Sequence, residues 1–266
     1  MRFDCSSAPG GLEPNEDFFT VSPSVGVIVD GATARGDTGC RHGVAWYAAQ
    51  LGSHAHHLLL SGAALPGAVA AAITAVTDSH RGSCDVDHPG TPSAAIGLVR
   101  VAGGHIEWCV LGDVVILLDT ADGLRLATDT HDHVAAPERQ EADRYAIGTP
   151  EKTEALVRMK QVETAARNTP GGFWVAATAP EAADHAKHGK LPADRVSRIL
   201  MLTDGAARLV SDFDLAEWVE VLTLVSDKGT AELIRLVREA EEADPAGTRW
   251  PRNKKSDDAT AVLLTL

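Results

Sequence analysis

The chain has only four cysteines (Cys5, Cys40, Cys84 and Cys109), far apart and with no CxxC pair among them. Neither a disulfide framework nor a structural zinc site is expected, and reduced thiols in a cytoplasm are the simpler reading. No run of ~18 apolar residues occurs, so no transmembrane helix is expected. The opening stretch MRFDCSSAPGG lacks the apolar core of a signal peptide, which again points to the cytoplasm. Positive charge is scarce: 24 Lys and Arg stand against 37 Asp and Glu, a formal net charge of -13. This balance argues against nucleic acid or an anionic membrane as partner, and it allows carboxylates to gather around cations. There is no GxSxG, Walker loop, GxGxxG or HExxH, and no internal repeat or low-complexity linker.

What is present is globular composition: 44% hydrophobic and 23% charged over 266 residues, enough to bury a core without a covalent or metal staple. One domain over residues 1–266 is expected. Short apolar runs predict strands at Phe18 to Val21, Val25 to Val29, Ala94 to Val101, Ile106 to Leu111, Val114 to Leu118, Leu124 to Ala127, Phe173 to Ala177, Val196 to Leu202 and Ala259 to Leu266. Period-3.6 spacing predicts helices from about Thr38 to Leu60, Leu65 to His80, Leu215 to Leu224 and Thr230 to Glu242. Residues 130–170 are polar and helix-prone, with a break at Gly148-Thr149-Pro150, and are expected to form a flap. Strands and helices do not alternate regularly. An α+β arrangement of antiparallel sheets with helices on their faces fits best, against a Rossmann or barrel fold.

Three times a strongly apolar strand runs into or out of an acidic cluster: VGVIVDG (25–31), RILMLTDG (198–205) and SDDATAVLL (256–264). A fourth, Asn15-Glu16-Asp17, opens a strand. Any one Asp-Gly is more often a simple turn. Several strand-end carboxylates that meet at one sheet rim would instead suit a hard divalent cation such as Mg²⁺ or Mn²⁺. Spacing alone leaves these two readings open.

The ordered series Asn15-Glu16-Asp17, Val29-Asp30-Gly31, Pro92-Ser93-Ala94, Leu111-Gly112-Asp113, Leu202-Thr203-Asp204-Gly205 and Asp257-Asp258-Ala259-Thr260 resembles the metal-dependent protein phosphatase family, protein phosphatase 2C. Thr38-Gly39-Cys40-Arg41-His42-Gly43 before a Trp-Tyr helix looks like its small actinobacterial members. The resemblance implies a four-layer α/β/β/α sandwich of two antiparallel sheets, with two and possibly three Mn²⁺ or Mg²⁺ ions. It implies that Asp30 bridges two of the ions and that the Gly31 carbonyl ligates one. Asp204 and Asp257 would ligate the other, Glu16 and Asp17 would hold waters, and Asp113 would help hold a third ion. Asp30, Asp204 and Asp257 would thus carry catalysis through a metal-activated water, with phosphoserine or phosphothreonine proteins as substrates. No nucleophilic Cys or Ser is needed.

The departures from the family pattern lie on the substrate side. Leu12 stands where the family has a phosphate-binding Arg, Ala32 follows Asp-Gly where eukaryotic members have His, and Gly112-Asp113-Val114 replaces Gly-Asp-Ser. Candidate replacement cations are Arg35, Arg41, Arg252, Lys254 and Lys255, the last three beside Asp257 and expected to bind substrate. Two alternatives stay open: a phosphatase of small molecules in a biosynthetic pathway, and a catalytically weak regulator that binds phosphoproteins. Thr130-His131-Asp132-His133 is similar to the family's Thr-x-Asp-His segment and is expected to form a surface turn.

Overall fold

The computed structural model describes residues 1–131 and 133–266; Asp132, within the Thr130 to His133 segment, lies outside the described residues. Two five-stranded sheets stack face to face. One runs in the order β1 (Arg2–Ala8), β10 (Ala259–Thr265), β9 (Val196–Leu202), β6 (Val115–Thr120) and β7 (Gly123–Ala127). The other runs β2 (Phe18–Val21), β3 (Val25–Gly31), β4 (Ala94–Ala102), β5 (His105–Leu111) and β8 (Lys187–Pro192). Every ladder is antiparallel.

The apolar runs have a direct physical cause. In β3, Val25, Val27 and Val29 face a helical layer, while Ile28 faces the opposite sheet. In β9, Leu200 and Leu202 face helices, and Ile199 and Met201 lie between the sheets. Strands buried on both faces lose the polar alternation of a half-exposed strand. The outer layers are α1 (Gly43–Leu60) and α2 (Leu65–His80) on one side, and α5 (Asp204–Ser211), α6 (Trp218–Lys228) and α7 (Thr230–Ala243) on the other. The result is the expected four-layer α/β/β/α sandwich. Among the described residues no helix is long and apolar enough to cross a membrane.

Residues 130–170 hold α3 (Ala136–Ala142) and α4 (Pro150–Ala166), which pack on each other around Ala142, Ala155, Leu156 and Met159. Several expectations need correction. β1 and β8 were not expected: both are edge strands of mixed polarity, RFDCSSA and KHGKLP, whose pairing rather than burial makes them strands. Phe173 to Ala177 is not a strand but two isolated bridges, Ala176 to Ala94 and Phe173 to Arg167. α1 starts at Gly43 rather than near Thr38. α5 was hidden in an Asp-Gly reading as a turn. Cys40 and Cys84, 44 positions apart in sequence, meet with their sulfurs 3.3 Å apart.

Candidate metal centre

Antiparallel pairing carries the acidic motifs to one rim of the sandwich. Asp30 and Gly31 end β3, and Glu16 and Asp17 lead into β2 beside it, with Phe18 opposite Val29. In the facing sheet Asp204 follows the end of β9, and Asp257 precedes β10, with Leu202 opposite Ala261. Asp113 lies in the turn where the chain passes from β5 in one sheet to β6 in the other. That turn needs Gly112, whose φ is +87° and whose added Cβ would lie 2.6 Å from the Ala95 Cβ. Gly31 is required by crowding: a Cβ there would meet the Glu16 carbonyl oxygen at 2.5 Å.

Hydrogen bonds fix these carboxylates. Asp17 accepts from Thr203 Oγ1 at 2.8 Å and Thr260 Oγ1 at 2.7 Å, so one carboxylate joins β9 and β10 to the β2 entry. Glu16 accepts from Thr33 Oγ1 at 2.7 Å. The Asp204 backbone N–H, at the start of α5, donates to Asp30 Oδ2 at 3.1 Å. Asp258 accepts from the backbone N–H groups of Gly10 (2.7 Å) and Glu16 (2.6 Å). It staples the N-terminal loop to the rim and leaves Asp257 to face the site.

The electrostatics are those of a cation site. Burial, then the neighbouring Asp204, Asp17, Asp113 and Asp257, pushes the Asp30 carboxyl well above the usual range. Burial and then Asp257 do the same to Asp204. Asp17 is pushed up to about 7, chiefly by burial, against the opposing effect of its two threonine hydrogen bonds. Buried carboxylates that repel one another favour either protons or a bound cation. All donors are hard oxygens, which suit Mg²⁺ or Mn²⁺ rather than a soft metal. Among the described residues, no three of these carboxylates bring oxygens within 4.8 Å of one another. Such a rim leaves room for the waters that Mg²⁺ keeps when it binds proteins. The groups that could hold a hydrated divalent cation are Asp30, the Gly31 carbonyl, Asp204 and Asp257, with Glu16, Asp17 and Asp113 near them.

The rim opens into a cleft of about 620 Å³, lined by Asp30, Asp113, Asp204 and Asp257 on its floor and by residues of α4 on one wall. Of the three cations expected to bind substrate, only Lys254 lines the cleft. Its ammonium meets Thr33 Oγ1 at 2.8 Å and pairs with Asp257. Arg252 is corrected: it is buried, its guanidinium bound to Asp244 and to the carbonyls of Trp250, Lys255 and Glu241. Lys255 is also corrected: it points away and pairs with Glu242 at the surface. Both shape the 250–256 loop and neither reaches the cleft. Leu12 is fully exposed at 105% and does not line the cleft, so the family's phosphate clamp has no counterpart there.

Two groups escaped the sequence reading. Arg208, one turn after Asp204 on α5, is buried and binds Asp257 Oδ2 at 2.9 Å and Glu241 Oε1 at 2.6 Å. Glu241, itself fully buried, also accepts from Arg238 at 2.7 Å, and Arg238 donates to the Asp257 carbonyl at 2.6 Å. This network aims Asp257; Arg208 at i+4 from Asp204 was its only sequence trace. Lys160 of α4 also lines the cleft, as does Arg35. Arg35 makes one long bond, 3.4 Å, to the Asn253 carbonyl, and Lys160 lies 3.8 Å from Glu163. Arg167, by contrast, is consumed by the Pro89 and Thr91 carbonyls and Ser93 Oγ.

The sequence matches no protein-family model and no curated protein. The likeness lies in three dimensions. A serine/threonine phosphatase of Mycobacterium tuberculosis, PstP/Ppp, superposes with a TM-score of 0.60 at 17% identity, over 100% of this chain and 98% of that one. The PstP catalytic domain in complex with two manganese ions gives 0.57 at 18% identity, over 98% and 96% of the two chains. The PPM Ser-Thr phosphatase MsPP of Mycobacterium smegmatis, in complex with cacodylate, gives 0.56 at 18%, over 100% and 98%. The chain has the fold of the metal-dependent (PPM-type) serine/threonine phosphatases.

Proposed function

We propose that this chain is a metal-dependent phosphomonoester hydrolase that dephosphorylates phosphoserine or phosphothreonine in proteins. The observation that carries this reading is the convergence of Asp30, Asp204, Asp257 and Asp113 on the floor of one cleft, with Arg35, Lys160 and Lys254 around its walls. One structural neighbour holds two manganese ions, and two Mn²⁺ or Mg²⁺ ions are proposed here. When bound, such ions lower the pKa of a coordinated water and neutralise charge on the phosphoryl oxygens.

The chain's own groups do the rest. Asp30 and Asp204 face each other across the two sheets and fix the floor. Arg208 and the Asp258 staple hold Asp257 and the Glu16 backbone in place. Arg35 and Lys160, both lining the cleft, bring positive charge to a substrate phosphate; a guanidinium grips phosphate through paired, charge-assisted hydrogen bonds. α3 and α4 serve as the flap. A cytoplasmic setting is part of this reading, supported by four cysteines without a disulfide.

Leu12 at the surface, in place of the family's clamp, favours a second reading in which the substrate is a small phosphomonoester. A panel with Mn²⁺ separates them: phosphoserine and phosphothreonine peptides against p-nitrophenyl phosphate and sugar phosphates. A kcat/KM for peptides well above that for small esters supports the first reading. Preference for small esters supports the second, and no turnover with any of them overturns both.

A further inference from the structure

A second, chemically different cluster lies beside the cleft. Cys84 Sγ is 3.3 Å from Cys40 Sγ and 3.3 Å from His42 Nδ1, and Cys40 Sγ is 3.7 Å from the same nitrogen. Among the described residues these three are the group whose ligand atoms all lie within 4.8 Å of one another. A tetrahedral zinc ion, with bonds of about 2.3 Å to sulfur and about 2.0 Å to nitrogen, puts its ligands roughly 3.6–3.8 Å apart. Two edges of the triangle are about 0.3–0.5 Å shorter than that and the third matches, so a small outward shift of the Cys84 sulfur fits the three groups to one zinc ion. A disulfide would involve the two sulfurs alone and gives no reason for an imidazole nitrogen to face both.

The surroundings hold the ligands in place. The His42 ring stacks on Trp46, with centroids 4.4 Å apart, and His80 follows at 6.0 Å. His80 is 1% exposed, yet neither of its ring nitrogens has a hydrogen-bond partner. A buried imidazole without partners at the edge of a Cys-His-Cys triangle is an independent sign that the cluster is built for a ligand. We propose that Cys40, His42 and Cys84 form a zinc site, with the buried His80 imidazole beside it.

The site would clamp two loops that form one wall of the cleft. Cys40 and His42 end the loop whose residues 31–37 line the cleft, and Cys84 begins the loop whose residues 88–93 line it. The two loops touch directly: the Asp85 N–H donates to the Gly39 carbonyl at 2.9 Å. Zinc there is structural and sets the position of Arg35, separately from the hard-cation centre at the rim. The sequence concealed it because the second thiol lies 44 positions from the first.

The test needs no substrate. Full-length protein purified under reducing conditions should retain about one zinc per chain, and Cys84→Ser should retain less than about a tenth of that. Loading the native chain with Co²⁺ should give intense thiolate-to-cobalt charge-transfer absorption and tetrahedral visible bands, which oxygen ligands at the acidic rim do not produce. Cobalt-loaded native protein without the charge-transfer band would overturn the proposal even if the variant fails to fold. So would equal zinc content in a folded Cys84→Ser variant, or a metal-free chain in which Cys40 and Cys84 are cross-linked.

Discussion

Among the described residues Asp30 forms no ion pair, and Asp204, Asp17, Asp113 and Asp257 act on its carboxyl. Replacing it by Asn keeps its shape and removes a carboxyl that, without metal, must either take up a proton or stay charged among other carboxylates when the chain folds. Asp30→Asn is expected to lower turnover at least about a hundredfold, roughly 2.7 kcal/mol of barrier. In EDTA it should melt at a higher temperature than wild type, and it should lose the stabilisation that millimolar Mn²⁺ confers on wild type by mass action. Calorimetry with and without Mn²⁺ checks both signs. The raised carboxyls also make metal-free stability depend on pH. Asp17, pushed up to about 7, and Asp30 and Asp204, pushed well above the usual carboxylate range, hold protons in the folded chain that the unfolded chain releases near pH 4. The folded state then binds more protons, so metal-free stability is greatest near pH 4 and falls as pH rises through about 7. Urea midpoints in EDTA should decline across that window, and saturating Mn²⁺ should abolish the decline. Among the described residues, Arg35 makes one long bond, 3.4 Å, to the Asn253 carbonyl. Arg35→Ala should raise KM about tenfold or more and leave Mn²⁺ affinity unchanged, because a charged hydrogen bond to substrate is lost while the metal ligands stay. Steady-state kinetics with a Mn²⁺ titration reads both.

At the scale of elements, the strands that end at the acidic rim were legible because burial on both faces makes them continuous apolar runs that stop at an aspartate. VGVIVDG and RILMLTDG are read correctly for that reason. The edge strands β1 and β8 were not legible, since a strand with one ladder partner and an exposed face needs no apolar pattern. α5 was hidden because Asp204-Gly205 serves as a helix start, with an acidic residue in the first turn where the helix dipole favours it. The cost of missing α5 was Arg208, the residue that joins the helix layer to Asp257. Arg208 and Glu241 are both nearly inaccessible, at 4% and 0% exposure. Arg208→Leu leaves Glu241 with Arg238 alone and is expected to destabilise the fold by about 3–5 kcal/mol, the usual penalty for breaking a buried pair. Equilibrium urea unfolding in Mn²⁺ measures this. A double variant, Arg208→Leu with Glu241→Leu, should recover part of the loss. The basic run 249–255 shows the opposite failure: proximity in sequence to Asp257 suggested three substrate-binding cations, but Asp244 and Glu242 claim two of them.

At the scale of the whole molecule, the two sheets do different work at one rim. The β2–β3 edge supplies Glu16, Asp17, Asp30 and Gly31, the β9–β10 edge supplies Asp204 and Asp257, and the β5–β6 crossing supplies Asp113. The acidic groups come from both sheets, so the full rim is assembled only when the sandwich closes. That closure is favoured by the apolar layer of Ile28, Ile116, Met201, Val262 and Leu264 between the sheets and opposed by the charge gathered at their end. The ordered motifs across the chain made this architecture legible, whereas the Cys40–His42–Cys84 cluster depends on how α1 and α2 pack and left no sequence pattern. The central claim is that the acidic rim is a divalent-cation centre for phosphomonoester hydrolysis. Its most direct test is phosphate release from a phosphothreonine peptide by EDTA-treated wild type and Asp30→Asn, each titrated with Mn²⁺. Wild type should be silent in EDTA and gain activity saturably with Mn²⁺, while Asp30→Asn stays near baseline throughout. Metal-independent release by wild type, or equal Mn²⁺-dependent rates in the two proteins, would contradict it.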